Sequence, residues 1–133
     1  MEALSLLNNR VLLATRILRV GLAFSFLYAA YASFVDPTSW AAFFPSWITD
    51  SVSTKTLLWV SGVGELVLGA WLLSGWRVTI ASLVAVVGLL GIVAGNMGQF
   101  VILFRDLSLA IVAVALAVLG TVENSLVTPV EEE

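Results

Sequence analysis

The chain has 133 residues, 60% of them hydrophobic and 11% charged, with a formal net charge of −3 and a mean hydropathy of +1.05. A soluble domain carries about 25% charged and about 45–50% apolar residues, so this chain has too little polar surface to cover a water-soluble fold, and the solvent it implies is lipid. With no Cys and no His it lacks disulfides, thiol relays, the usual haem ligands and the commonest zinc ligands, and the absence of a basic stripe removes nucleic acid as a partner.

The first apolar segment, residues 10–35, is long enough at about 1.5 Å per residue to span a hydrocarbon core about 30 Å thick. Arg16 and Arg19 lie in its first third, where long apolar stems let guanidinium heads snorkel to the headgroups. More apolar segments follow, so the first reads as a retained span and not as a cleaved signal peptide. Asp36-Pro37 ends it. Asp36 caps a short helix that Pro37 starts. Trp40, Phe43 and Phe44, at i, i+3 and i+4, then form the apolar face of an interfacial segment over residues 37–48, with Pro45 terminating its helix.

Asp50, Ser51 or Ser53 caps a second span, residues 54–74, and Gly75 closes it before Trp76-Arg77 marks an interface. A third span over 77–97 and a fourth over 105–122 complete two antiparallel hairpins. Residues 125–133, ending in Glu131-Glu132-Glu133, read as a mobile, solvated tail. The expected fold is all-α, a polytopic membrane protein: one transmembrane domain over residues 1–133, built as a four-transmembrane-helix antiparallel bundle with a short interfacial helix between helices 1 and 2. Arg10, Arg16, Arg19 and Arg77 fall on one side of the membrane and Lys55 and Arg105 on the other. The positive-inside rule then predicts a multi-pass protein of the cell membrane with both termini cytoplasmic.

Helices in lipid associate by close packing of small residues. Ala81, Ala85, Gly88, Gly91 and Gly95 form such a stripe on the third span, Ala110, Ala113, Ala117 and Gly120 on the fourth, and Gly62 and Gly69 mark the second. These read as packing faces within the bundle, with a dimer motif as the alternative.

Glu65 stands near the middle of the second span, where a charge costs at least about 2.5–3.5 kcal/mol on insertion scales. It must be protonated, paired or in contact with water. Counted from Thr54 it lies about 16 Å below the end of its helix, at a depth that Arg19 of the first span can approach, and a Glu65–Arg19 contact is predicted. Such a pair either locks two helices in register or, given water or a lipid-side cleft, provides a proton or quinone-headgroup site.

Phe104-Arg105-Asp106 opens the fourth span close to Asn96 and Gln99. On one reading Asp106 is an N-cap and Arg105 reaches headgroups. On the other, Arg105, Asp106, Asn96 and Gln99 form a polar cup beneath the aromatic segment, where a small polar ligand or quinone ring sits against Trp40, Phe43, Phe44 or Trp47. Tyr28 and Tyr31, one turn apart, line its inner wall or belong to an aromatic belt. No nucleotide loop, metal-ligand cluster or nucleophile–base pair is present, and Gly62-Val63-Gly64 lacks the pattern of a dinucleotide site.

Four stretches carry a family likeness: Arg19-Val20-Gly21-Leu22-Ala23-Phe24; Phe34-Val35-Asp36-Pro37 with Trp40 and Pro45-Ser46-Trp47; Gly64-Glu65-Leu66-Val67-Leu68-Gly69; and Phe104-Arg105-Asp106-Leu107-Ser108-Leu109. In their order and spacing, over about residues 16–120, the chain resembles the DoxX family of small four-helix membrane proteins. The resemblance implies an accessory integral membrane subunit of a redox or quinone-linked system, as in thiosulfate:quinone oxidoreductase or terminal oxidase subunits. It implies no redox cofactor or metal of its own, with quinone as the ligand to test, and other membrane subunits or further copies of the chain as partners within the bilayer. Arg19, Glu65, Arg105 and Asp106 are the matching polar positions. Many relatives carry a polar or charged pair, often ending in Lys, where this chain has Ala32-Ser33, so one counter-charge is missing. The alternative is a purely structural small subunit or scaffold of a larger membrane complex. Without a catalytic motif the chain leans away from being an enzyme in its own right. A small-solute transporter ranks last, because four short helices leave little room for a path and no broken helix pair is evident.

Overall fold

Backbone N–H and C=O groups find no partner in lipid tails, so each apolar run must satisfy them internally as a helix. The structure, a computed structural model, describes residues 1–127. Its helices are α1 (Glu2–Val35), α2 (Pro37–Ala41), α3 (Ser46–Thr49), α4 (Thr54–Ser74), α5 (Val78–Gly95) and α6 (Phe100–Val127), with a 3-10 turn over Met97–Gln99. Among the described residues there is no strand, and four of the helices (α1, α4, α5 and α6) are long and apolar enough to cross a membrane.

Several limits differ from the sequence reading. Helix α1 starts at Glu2 and not near residue 10, because residues 2–10 contain no Gly or Pro and an acidic first turn favours the helix dipole. Its 34 residues make a rod about 51 Å long, which overshoots the hydrocarbon core. Helix α6 starts at Phe100, so Arg105 and Asp106 sit inside it and Asp106 is not an N-cap. It also continues through Val127, past residue 125 where a tail was expected; the rest of that tail, residues 128–133, lies outside the described residues. The interfacial segment is two short helices. Pro45, extended at φ −61°, ψ 146°, precedes α3 because it disfavours a helical Phe44 before it.

Local chemistry sets the helix ends. The Asp36 carboxylate accepts from the Ser39 hydroxyl at 2.6 Å and from the Ser39 N–H at 3.3 Å, and these bonds, the hydroxyl's first, hold its carboxyl below the ordinary range. Of the three cap options before α4, Ser53 is used: its Oγ accepts from the Thr56 N–H at 3.3 Å. Gly75 closes α4 at φ 76°, a left-handed conformation that glycine adopts without penalty. The Trp71 indole N–H donates to the Trp76 carbonyl at 2.7 Å and pins the turn into α5.

Helices α1 and α4 pack along their length, as do α5 and α6; α1 against α6 joins the pairs, whereas α4 and α5 touch little. Glycines set the closest approaches. A Cβ at Gly69 would stand 2.7 Å from Leu27 and 3.2 Å from the Ala23 carbonyl, and one at Gly120 would stand 3.1 Å from the Thr79 nitrogen. Near the α4–α5 turn the bundle is solid: Leu22, Leu72, Val78, Ala81, Ala85 and Leu116 share one buried core. The α5 stripe divides at this point. Ala81 and Ala85 pack in the core, and Gly95 lies against Pro45, but nothing lies within 4 Å of a Cβ placed at Gly88 or Gly91, so at those two glycines the stripe is not a packing face.

Candidate functional site

Past this core the bundle is hollow. Leu58, Ser61 and Glu65 recur at i, i+3 and i+7, which puts them on one face of α4, and that face forms one wall of a cavity of about 700 Å³. Phe26, Ala29 and Ser33 of α1, Gly88, Gly91 and Ile92 of α5, and Arg105, Asp106 and Leu109 of α6 form the others. Trp40, Phe43, Phe44, Pro45 and Trp47 cover it as a lid.

Glu65 carries the largest demand in the cavity wall. It is half-buried, and its Oε2 is fully buried with no hydrogen-bond partner. The Ser61 hydroxyl, one turn away, donates instead to the Leu58 carbonyl at 3.2 Å. Arg105 and Asp106 line the same cavity as Glu65, but their contact is with each other. Arg105 folds back along α6 so that Nε and Nη2 each stand 3.0 Å from Asp106 Oδ1. The Asp106 side chain is only 5% exposed and that of Arg105 50%, so the guanidinium keeps one side free. That group lies 6.0 Å from the centre of the Trp40 ring, within range of a cation–π contact, and Trp40 in turn meets Phe43 at 5.3 Å between ring centres.

Asn96 acts on the lid and not on the cavity's charge. Its Nδ2 donates to the Phe43 carbonyl at 2.8 Å and to the Ile92 carbonyl at 2.9 Å. Tyr28 borders the cavity and stacks on Phe24 at 6.2 Å, while Tyr31 lies outside it. Nine residues singled out in the sequence, Glu65, Arg105, Asp106, Asn96, Tyr28, Trp40, Phe43, Phe44 and Trp47, therefore converge on one space.

Two do not. Gln99 is exposed in the 3-10 turn. Arg19 does not reach Glu65: its Nη1 stands 2.8 Å from the Cβ position of Gly75, at the far end of α4. The antiparallel register explains this, since Ala23 and Leu27 meet Gly69 while Ser33 and Phe34 meet Gly62. Glu65 then falls opposite Ala30, about 16 Å along α1 from Arg19. Depth counted from helix ends missed the register, which the interlocked glycines fix.

The sequence reading also missed Ser61 and the two open glycines. Ser61 had a signal, being four residues before Glu65 and so on its face. The glycines had none, because an unpacked glycine and a packed one read alike in sequence. Chemically, the site offers a carboxylate without a hydrogen-bond partner, a guanidinium with free donors, flat aromatic cover and otherwise apolar walls. It suits a small flat head that both donates and accepts hydrogen bonds. Among the described residues no His, Cys, Asp and Glu group is disposed to hold a metal ion.

Compared with known proteins, the chain matches the family model DoxX over residues 14–105. That stretch takes in α1 from Ala14, the lid, α4, α5 and α6 as far as Arg105. No curated protein and no solved structure matches it.

Proposed function

Since the chain belongs to the DoxX family, we propose that it is an accessory subunit of a redox or quinone-linked membrane system, holding a quinone head in the cavity beside Glu65 and bringing no redox centre of its own. The observation that carries this reading is the carboxylate of Glu65, without a hydrogen-bond partner, in the wall of a cavity of about 700 Å³. That volume falls within the roughly 300–1,000 Å³ typical of small-molecule sites. A quinol hydroxyl donates to the Glu65 carboxylate, the free side of Arg105 donates to the opposite ring oxygen, and Trp40 and Phe43 flank the ring. Electrons come from and go to partner subunits. Both termini are cytoplasmic and the lid faces outward, following the excess of arginines at the terminal side.

Purification with native lipids tests this. We expect a quinone near one per chain together with a redox partner, and Glu65→Gln removes the quinone while the assembly stays intact. Recovery of neither quinone nor redox partner overturns the reading. Loss of assembly in Glu65→Gln with quinone content unchanged favours a structural scaffold instead.

A further inference from the structure

A ligand reaching Glu65 has few ways in. The lid is tied by Asn96 to the Phe43 carbonyl at 2.8 Å, and Pro45 stands 3.0 Å from the Cβ position of Gly95. The opposite end is closed by Leu22, Leu72 and Leu116, all at most 1% exposed. The α1–α4 seam is shut where Gly62 and Gly69 meet Phe34 and Leu27, and α5 packs extensively against α6. On the α1 side the stacked rings of Phe24 and Tyr28 screen the cavity edge.

The α4–α5 side is different. These helices make little contact, and Gly88 and Gly91 both line the cavity and are exposed. Nothing stands within 4 Å of a Cβ at either position. Gly88 lies about 16 Å along α5 from Arg77, near the middle of a hydrocarbon core about 30 Å thick. Water-borne solutes do not gather at that depth.

We propose that the gap between α4 and α5 at Gly88 and Gly91 is a lateral portal, through which the cavity takes a single-tailed amphiphile from the lipid phase. The flat, hydrogen-bonding head enters to meet Glu65, and the tail stays in the gap among the lipid chains. This rests on the reading of the cavity as a quinone-head site but adds the route and the requirement for a tail. The glycines are specificity determinants because any larger side chain there narrows the gap without disturbing a packed neighbour.

The test is saturable binding of labelled probes to the full chain in lipid nanodiscs. The probes are decylhydroquinone, tail-less methylhydroquinone, and 4-decylphenol, which keeps a tail and one hydroxyl but is no quinone. The proteins are wild type, Gly88→Leu, Gly91→Leu and the control Gly64→Leu, whose Cβ position is equally open but which does not line the cavity. We expect wild type and Gly64→Leu to bind both tailed probes, and either Gly88→Leu or Gly91→Leu to bind them at least tenfold more weakly with unchanged helix content. Tail-less binding as tight as tailed, or binding of decylhydroquinone indifferent to both portal substitutions, overturns the portal and leaves the quinone reading. Portal-dependent binding of decylphenol without decylhydroquinone removes the quinone reading and leaves the portal. No saturable binding of any probe removes both.

Discussion

The side-chain amide of Asn96 donates to the main-chain carbonyl of Phe43 across 2.8 Å, so the end of α5 fixes the aromatic lid. The same nitrogen also bonds the Ile92 carbonyl, which holds the amide in position before the lid arrives. A buried carbonyl deprived of its donor costs about 1–3 kcal/mol, and the Phe43 carbonyl is part-buried, which places the cost at the lower end. Asn96→Leu is therefore expected to lower thermal stability by that order and to speed amide hydrogen exchange over residues 40–49, while exchange in α4 is unchanged. An unchanged lid in that experiment would show that Pro45 against Gly95 suffices.

Glycines on opposite faces of the bundle should respond oppositely to alanine. At Gly69 an added methyl meets Leu27 and the Ala23 carbonyl, and overpacking of this kind costs about 1–3 kcal/mol. At Gly91 it meets nothing and gains helix propensity, up to about 1 kcal/mol. Unfolding in mixed micelles should show Gly69→Ala destabilised and Gly91→Ala neutral or stabilised.

Arg19 and Gly75 form a coupled pair. A side chain at Gly75 is strained at φ 76° and also meets the Arg19 guanidinium at 2.8 Å. Gly75→Ala should cost about 1 kcal/mol for the backbone alone, and more with Arg19 in place. In a double-mutant cycle Arg19→Met relieves the steric part but not the backbone part. Arg19→Met by itself leaves ligand binding in the cavity unchanged, because the residue does not line it.

Removing Arg105 strands a carboxylate whose side chain is only 5% exposed. Loss of one partner of a fully buried pair costs about 3–5 kcal/mol, and the half-exposed guanidinium lowers the expectation to about 1–3 kcal/mol. Arg105→Gln should lower stability by that amount and change the emission of Trp40, which stands 6.0 Å from the guanidinium. Adding Asp106→Asn should restore most of the stability but not the emission. Failure of that rescue would mean that Arg105 acts through groups other than Asp106.

The chain contains no Cys, so single cysteines report sidedness cleanly. With both termini cytoplasmic, Ser51→Cys in intact cells reacts with an impermeant maleimide, and Ser5→Cys reacts only after permeabilisation. The reverse pattern inverts the orientation and turns the lid inward.

Sequence alone determined the four crossings, since an apolar run of sufficient length has one way to satisfy its backbone in lipid. It also determined Asp36 as a cap and Gly75 as a stop, because a cap reads only its own few neighbours. It singled out Glu65, as any mid-span carboxylate stands out by composition. What tertiary structure decided is which residues share a height. Leu27 and Ala23 against Gly69 set the α1–α4 register, moving Arg19 away from Glu65 and leaving Glu65 Oε2 alone in its wall. The α5 stripe became part core and part opening for the same reason. Whether a glycine is a contact or a gap depends on the helix opposite, and α4, though next in the chain, stands away from it.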